Sequence, residues 1–412
     1  MKKIGYFIFN IFYYLFYLLP KQNKIFLLMT HDESYEGNVL YTGEYFKSKD
    51  HNLSIKKLTK NDYDFKKKSG ILKLINFFII APYHIARSKS ILMDNIFLAF
   101  AYTKFKKNVS VVQLWHGTGT IKKFALDSEE GEVKKLAKKS NSRNTHLIIG
   151  SNKMFSIYKS AFGMENENIF PIGSPRTDLF FDEKFITSKI NNFYERYPEL
   201  SNKKIILYAP TFRDDDLNNI KYQTLTKEKK EKNLYLNVEI LDTLKKLDED
   251  YILALKLHPA ISRHFSIKNM NIEKSLKNRI YDFSNINNDQ ENNKNITLNS
   301  LLLISDVLIS DYSSIIFEYS LLNKKMIFYP YDIKEYGEKS RGFYFDYENF
   351  VPGPIFYSAE AISKEIIKEM DENNEHTIKE FKAKYMDKSD GNSTERLYRI
   401  LNLNTEKVNK KN

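Results

Sequence analysis

Five stretches place polar or cationic side chains directly after apolar runs. In QLWHGTGTIKKF (113–124), His116 follows the run and is itself followed by Gly117, Thr118 and Gly119, with Lys122 and Lys123 close behind. An imidazole can take a proton near neutral pH. The glycines let the backbone approach a ligand, and the lysines add positive charge. In GSPRTDLF (173–180), Arg176 offers a fork for phosphate, while Gly173, Pro175 and Asp178 are expected to shape a turn and cap the next helix. YAPTFRD (208–214) and KLHP (256–259) bring Thr211, Arg213, Lys256 and His258 together if their two strands are neighbours. In LISDYSSIIFEYS (308–320), a helix starting at Asp311 or Ser313 would put Ser313 and Ser314 where hydroxyls, N–H groups and the helix dipole favour phosphate. Glu318, one turn past Ser314, could accept hydrogen bonds from a ribose diol. Each stretch also has a bland counterpart: a capping His, a surface Arg, a structural His, a simple Ser cap.

Other chemistries lack their residues. The 412 residues include no Cys, so there is no disulfide framework, thiolate metal site or Cys nucleophile. HExxH, GxGxxG and Walker sequences are missing, which argues against zincin, dinucleotide redox and P-loop chemistry. Asp214, Asp215 and Asp216 stand beside a Lys-rich insert and read as a solvated loop. No metal and no cofactor is expected. The 64 Lys+Arg against 52 Asp+Glu leave a net charge of +12, which points to an anionic lipid, nucleic acid or phosphorylated partner. The charge lies in mixed blocks without a basic recognition helix, so nucleic acid is not expected.

The elements that must position these residues follow a strand–helix rhythm. KIFLLM (24–29), SILMD (90–94), VSVVQLW (109–115) and HLIIG (146–150) read as short buried strands, with helices at 36–48 and 151–162. His116 would then sit on a strand-to-helix turn. A polar stretch at 184–202 marks a junction, after which the rhythm restarts with KKIILYAP (203–210), YILALKLHP (251–259), VLIS (307–310) and KMIFYP (325–330). The pattern predicts two parallel, doubly wound sheets facing a cleft, with ligands beyond the carboxyl ends of the strands. The domain reading is a membrane-interface segment at 1–24, domains at 25–185 and 186–370, and a charged helical tail at 371–412. Residues 4–19 as a helix reach about 24 Å, short of a hydrocarbon core of about 30 Å. Their Tyr and Phe beside Lys suit the membrane interface, and a buried N-terminal helix is the alternative. The basic-to-apolar segment 66–86 reads as a second such element, broken at Pro82.

VVQLWHGTGTIKKF, IGSPRTDLF, ILYAPTFRD, LKLHP, SDVLISDYSSIIFEY, MIFYPYD and RGFYFDYENFVPGP, in this order, resemble the CDP-glycerol glycerophosphotransferase family of teichoic acid primases and polymerases. The resemblance covers roughly residues 25–400. It implies a GT-B architecture of two Rossmann-like domains and transfer of glycerol phosphate from CDP-glycerol, or ribitol phosphate from CDP-ribitol, with release of CMP. The implied acceptor is a polyprenyl-pyrophosphate-linked saccharide at the cytoplasmic face of the membrane, where the protein would bind peripherally. On this resemblance His116 is the general base, and Lys256 and His258 face the pyrophosphate. Asp311, Ser313 and Ser314 bind phosphates, and Glu318 holds the ribose. Arg176, Thr211, Arg213, Gly117 and Thr118 position substrate. HGTGTIKKFA (116–125) resembles the branch with Gly followed by Ile or Leu, Lys and Phe-Gly, which includes primases and leans the reading towards a primase, although Ala125 replaces that branch's last Gly. A nucleotide-sugar glycosyltransferase and a non-catalytic basic membrane-binding protein are the competing readings.

Overall fold

The computed structural model describes residues 2–63, 70–211, 239–258, 272–284, 296–334, 336 and 342–409. The chain divides into two compact units. The first comprises Met1–Gly119, Lys123–Asp182 and Lys384–Asn412, and the second Thr120–Lys122 and Glu183–Ala383.

Six strands form the first sheet: β1 (Lys24–Met29), β2 (Ser54–Thr59), β3 (Ser90–Met93), β4 (Ser110–Gln113), β5 (His146–Ile149) and β6 (Ile169–Pro171). All pair in parallel, in the order β2-β1-β3-β4-β5-β6. β1 shows why an unbroken apolar run makes such a strand. Phe26 and Leu28 point into one core cluster and Ile25, Leu27 and Met29 into another, so both faces are covered. Each such buried side chain contributes about 1.5–3 kcal/mol. The edge strand β2 (SIKKLT) is mostly polar and exposed, and its pattern alone did not announce a strand.

The second sheet holds β7 (Lys204–Tyr208), β8 (Tyr251–Leu255), β9 (Ile280–Asp282), β10 (Val307–Ser310) and β11 (Lys325–Phe328). Its order is β11-β10-β7-β8-β9, again all parallel. The expected α/β fold with two parallel sheets is therefore present. In each sheet the winding direction reverses once, between β1 and β3 in the first and between β7 and β10 in the second. Such switch points open a crevice at the carboxyl edge.

The N-terminal helix Lys2–Phe16 buries Phe9 and Tyr13, while Ile4, Phe7, Ile11 and Leu15 are exposed. Its one interior polar residue, Asn10, is buried. Asn10 donates to Ala99 O at 2.9 Å and accepts from Thr103 Oγ1 at 2.7 Å. Residues 70–86 stay helical throughout, contrary to the expected break at Pro82. A π turn at Asn76–Ile80 precedes the segment Ala81–Ala86, and this wider turn accommodates the N–H that Pro82 lacks. Among the described residues, no helix is long and apolar enough to cross a membrane.

The C-terminal helix Ser393–Asn409 belongs to the first unit, where Leu397 and Leu401 join the β1 core cluster. Asp178 explains its placement. Its carboxylate accepts from Ser393 N (2.9 Å), Thr394 N (2.8 Å) and Thr394 Oγ1 (2.7 Å). The expectation that Asp178 caps the next helix in sequence is thus corrected. It caps one more than 200 residues later, because the loop 173–180 faces the returning chain.

Candidate active site

The carboxyl edge of the first sheet begins with three adjacent strand ends, each followed by a titratable residue. β1 leads to His31, β3 to Asp94 and β4 to His116. His116 does not stand on a strand-to-helix turn as expected. β4 stops at Gln113, and the next α-helix starts only at Gly131. Between them Trp115 adopts φ +57, a left-handed conformation that costs a bulky residue about 1–3 kcal/mol.

That strained turn is fastened residue by residue. Trp115 N donates to Gln113 Oε1 (3.0 Å), and Trp115 O accepts from Asn38 Nδ2 (3.0 Å). His116 O accepts from Arg176 Nη1 (3.2 Å), and Gly117 O from Tyr158 OH (3.0 Å). Thr118 is buried with its carbonyl packed on Gly150, where any Cβ would approach that oxygen to 2.6 Å. Asn38 also joins this turn to the loop of Arg176. Its Oδ1 accepts from Ser174 Oγ and Arg176 N, both at 2.9 Å. Arg176 is therefore placed beside the His116 turn.

The imidazole of His116 is oriented by Asp94. His116 Nδ1 lies 2.8 Å from the Asp94 main-chain oxygen. A carbonyl can only accept, so Nδ1 carries a proton, and in the neutral ring the lone pair is on Nε2. Asp94 is almost wholly buried. Its carboxylate accepts from Thr30 N (2.9 Å), His31 N (3.2 Å) and Asp32 N (2.9 Å). Burial pushes the Asp94 carboxyl up, and these three N–H groups oppose that shift. The His31 ring stacks on the His116 ring with centroids 3.7 Å apart and planes 16° from parallel.

In the second unit, Thr211, Lys256, His258 and Asp311 follow β7, β8 and β10 at one carboxyl edge, with Ser313, Ser314 and Glu318 next along the chain. Asp311 plays the part there that Asp94 plays in the first unit. It is buried at the switch point, and its Oδ1 accepts from Thr211 N (2.7 Å) and Tyr312 N (2.6 Å). Lys256 Nζ donates to Phe283 O at 2.8 Å, and His258 is exposed. The helix after Ser314 runs only over Ile315–Ser320. Six residues carry little dipole, so hydroxyl and N–H groups matter more there than the expected helix field. Glu318 is buried on that helix. Arg213 and the run Asp214–Asp216 lie outside the described residues. No cluster of groups able to hold a metal ion occurs among the described residues.

The motif reading missed His31, Asp94, Asn38 and Gln113. His31 and Asp94 were open to the rule that located His116, since both are polar residues just past an apolar strand. Asn38 and Gln113 carry no such signal, because their partners lie on other elements.

The family model described as CDP-Glycerol:Poly(glycerophosphate) glycerophosphotransferase matches residues 11–403. The chain is 34% identical over 404 residues to the teichoic acid poly(ribitol-phosphate) polymerase of Bacillus spizizenii, covering 96% of this chain and 59% of that protein. It is 34% identical over 331 residues to the teichoic acid glycerol-phosphate primase of Bacillus subtilis, covering 78% of this chain and 76% of that one. The wall teichoic acid polymerase TagF has a similar fold, with a TM-score of 0.72 at 24% identity over 97% of this chain and 94% of that one.

Proposed function

Since the chain belongs to the CDP-glycerol glycerophosphotransferase family, we propose that it moves glycerol phosphate from CDP-glycerol to a hydroxyl of a polyprenyl-pyrophosphate-linked saccharide. The acceptor oxygen attacks the phosphorus that bears glycerol. The bond from that phosphorus to the bridging oxygen breaks, and CMP leaves with the electron pair. The His116 tautomer carries this reading. Its Nδ1–H is engaged by Asp94 O at 2.8 Å, which puts the lone pair on Nε2 to take the hydroxyl proton. Arg176, Gly117 and Thr118 position substrate around this base. Lys256, His258 and the Ser313–Ser314 pair offset the charge that develops on the leaving CMP. Asp311 and Thr211 form the base of that phosphate site, and Glu318 holds the ribose. The GT-B architecture belongs to this proposal, each unit supplying one carboxyl edge. Addition of a single unit, as a primase, is the preferred form.

The likeness to a poly(ribitol-phosphate) polymerase across 96% of the chain favours CDP-ribitol and polymerisation as a second reading. Product mass spectrometry with each CDP-alditol and a synthetic lipid-linked disaccharide separates donors and counts transferred units. In the same assay His116→Ala is expected to lower turnover at least about 1000-fold while CDP-glycerol binding persists. Wild-type turnover in that variant would remove the base from His116. Release of a nucleoside diphosphate from a UDP- or GDP-sugar, with no CMP from CDP-alditols, would convert the reading to a glycosyltransferase.

A peripheral seat on the cytoplasmic membrane leaflet completes the proposal. The helix Lys2–Phe16 and the segment 70–80 pack against each other through Phe9 and Phe77 (ring centroids 5.4 Å apart). Both leave large apolar side chains exposed, including Phe7, Leu15, Ile71 and Leu72. Lys3 and Lys73 lie within these two segments, and Lys21 follows the helix. Apolar side chains interleaved with lysines suit an anionic lipid surface.

A further inference from the structure

We infer that His31 is a positioning residue for the proton transfer, presenting a flat ring face that holds His116 in register and supports it once protonated. The inference rests on the proposed role of His116 as base. Three observations carry it. The two rings are nearly parallel at 3.7 Å, a separation at which each fixes the plane of the other. Both are tied to the same residue. Asp94 accepts the His116 Nδ1–H on its main-chain oxygen, while its carboxylate grips the backbone of residues 30–32. The pair also lies at the β1/β3 switch point, where a doubly wound sheet binds its ligand.

The charge of His31 decides how it acts. Desolvation lowers its pKa from the ordinary His value, and Lys60 and Arg176 push the same way against the carboxylates of Asp94 and Asp32. His31 is therefore neutral at neutral pH. A neutral ring face attracts a cation above it, whereas a second imidazolium would repel one. When Nε2 of His116 takes the acceptor proton, the new charge spreads over a ring that already rests on this face.

The test compares three substitutions in CMP release from CDP-glycerol with a lipid-linked acceptor, with His116→Ala run alongside. His31→Ala is expected to lower kcat by about tenfold to a hundredfold, with KM for CDP-glycerol within about twofold. His31→Phe restores the flat face and is expected within about threefold of wild-type kcat. His31→Asn keeps a polar group without the ring, should follow Ala, and gives the same contrast with Phe if the Ala variant does not fold. Wild-type kcat in both His31→Ala and His31→Asn while His116→Ala is inactive would overturn the role of His31 alone. Phe as slow as Asn would also overturn it, moving the function to an imidazole nitrogen. An active His116→Ala would instead overturn the underlying assignment of the base.

Discussion

His116 acquires its chemistry from neighbours that the local sequence does not contain. Its tautomer depends on Asp94, its ring plane on His31, and the backbone of residues 115–117 on Asn38, Arg176 and Tyr158. Two other histidines are structural, and they lead to a pH prediction. His146 is buried against Phe170, and His84 sits 3.1 Å from the Lys24 ammonium. Burial lowers both pKa values to about 4, with the Lys24 charge adding to the effect at His84. In the unfolded chain these groups take up protons near pH 6.5, but in the folded protein only near 4. Between those values the unfolded state binds more protons, so stability falls on acidification. His146 alone accounts for roughly 3 kcal/mol by pH 4. Urea midpoints at pH 7.5 and 4.5 should show a smaller difference in His146→Phe, which keeps the ring against Phe170. An unchanged difference would refute the assignment.

Strands and loops carry the site, and each has a residue that allows it. The loop after β6 turns at Gly173 with φ +91, and a Cβ there would meet Ser393 Oγ and the Lys388 carbonyl. Gly173→Ala should therefore destabilise by more than about 2 kcal/mol, combining left-handed strain with a backbone clash. A thermal midpoint lowered by several degrees is the expected reading, and an unchanged midpoint would contradict the described loop. The same loop holds Arg176 beside His116 through Asn38, so turnover should fall with stability in this variant. Strands with continuous apolar runs, such as β1 and β10, were legible from pattern alone. β2, β6 and β9 were not. β2 is a polar edge, and the other two span three residues each, too few for a period to show.

At the scale of the molecule, the two sheets repeat one device. A buried Asp at the switch point accepts the backbone N–H of the neighbouring strand's turn, through Asp94 in the first unit and Asp311 in the second. The net charge of +12 is consistent with the two anionic surfaces proposed, a nucleotide pyrophosphate and a lipid headgroup layer. Flotation with phosphatidylglycerol-containing vesicles should recover the protein, and neutral vesicles should recover less. Replacing Ile71 and Leu72, which are 74% and 72% exposed, by Asp should release it from both while leaving turnover on a soluble acceptor intact. Equal recovery of the double variant would remove these residues from the membrane contact.

The order of apolar strands, and the rule that ligands gather beyond their carboxyl ends, determined from sequence alone the α/β class, the family resemblance and the placement of His116, His258 and Asp311 at strand ends. These depend on period and on adjacency along the chain, which a sequence displays. Only the tertiary structure decided that Asp94 orients His116, that His31 stacks on it, and that Asp178 caps a helix starting at Ser393. Those contacts join residues 22, 85 and 215 positions apart. Hydrogen bonds and ring stacks at such separations are set by which strand ends the sheet brings side by side, and no local pattern encodes that.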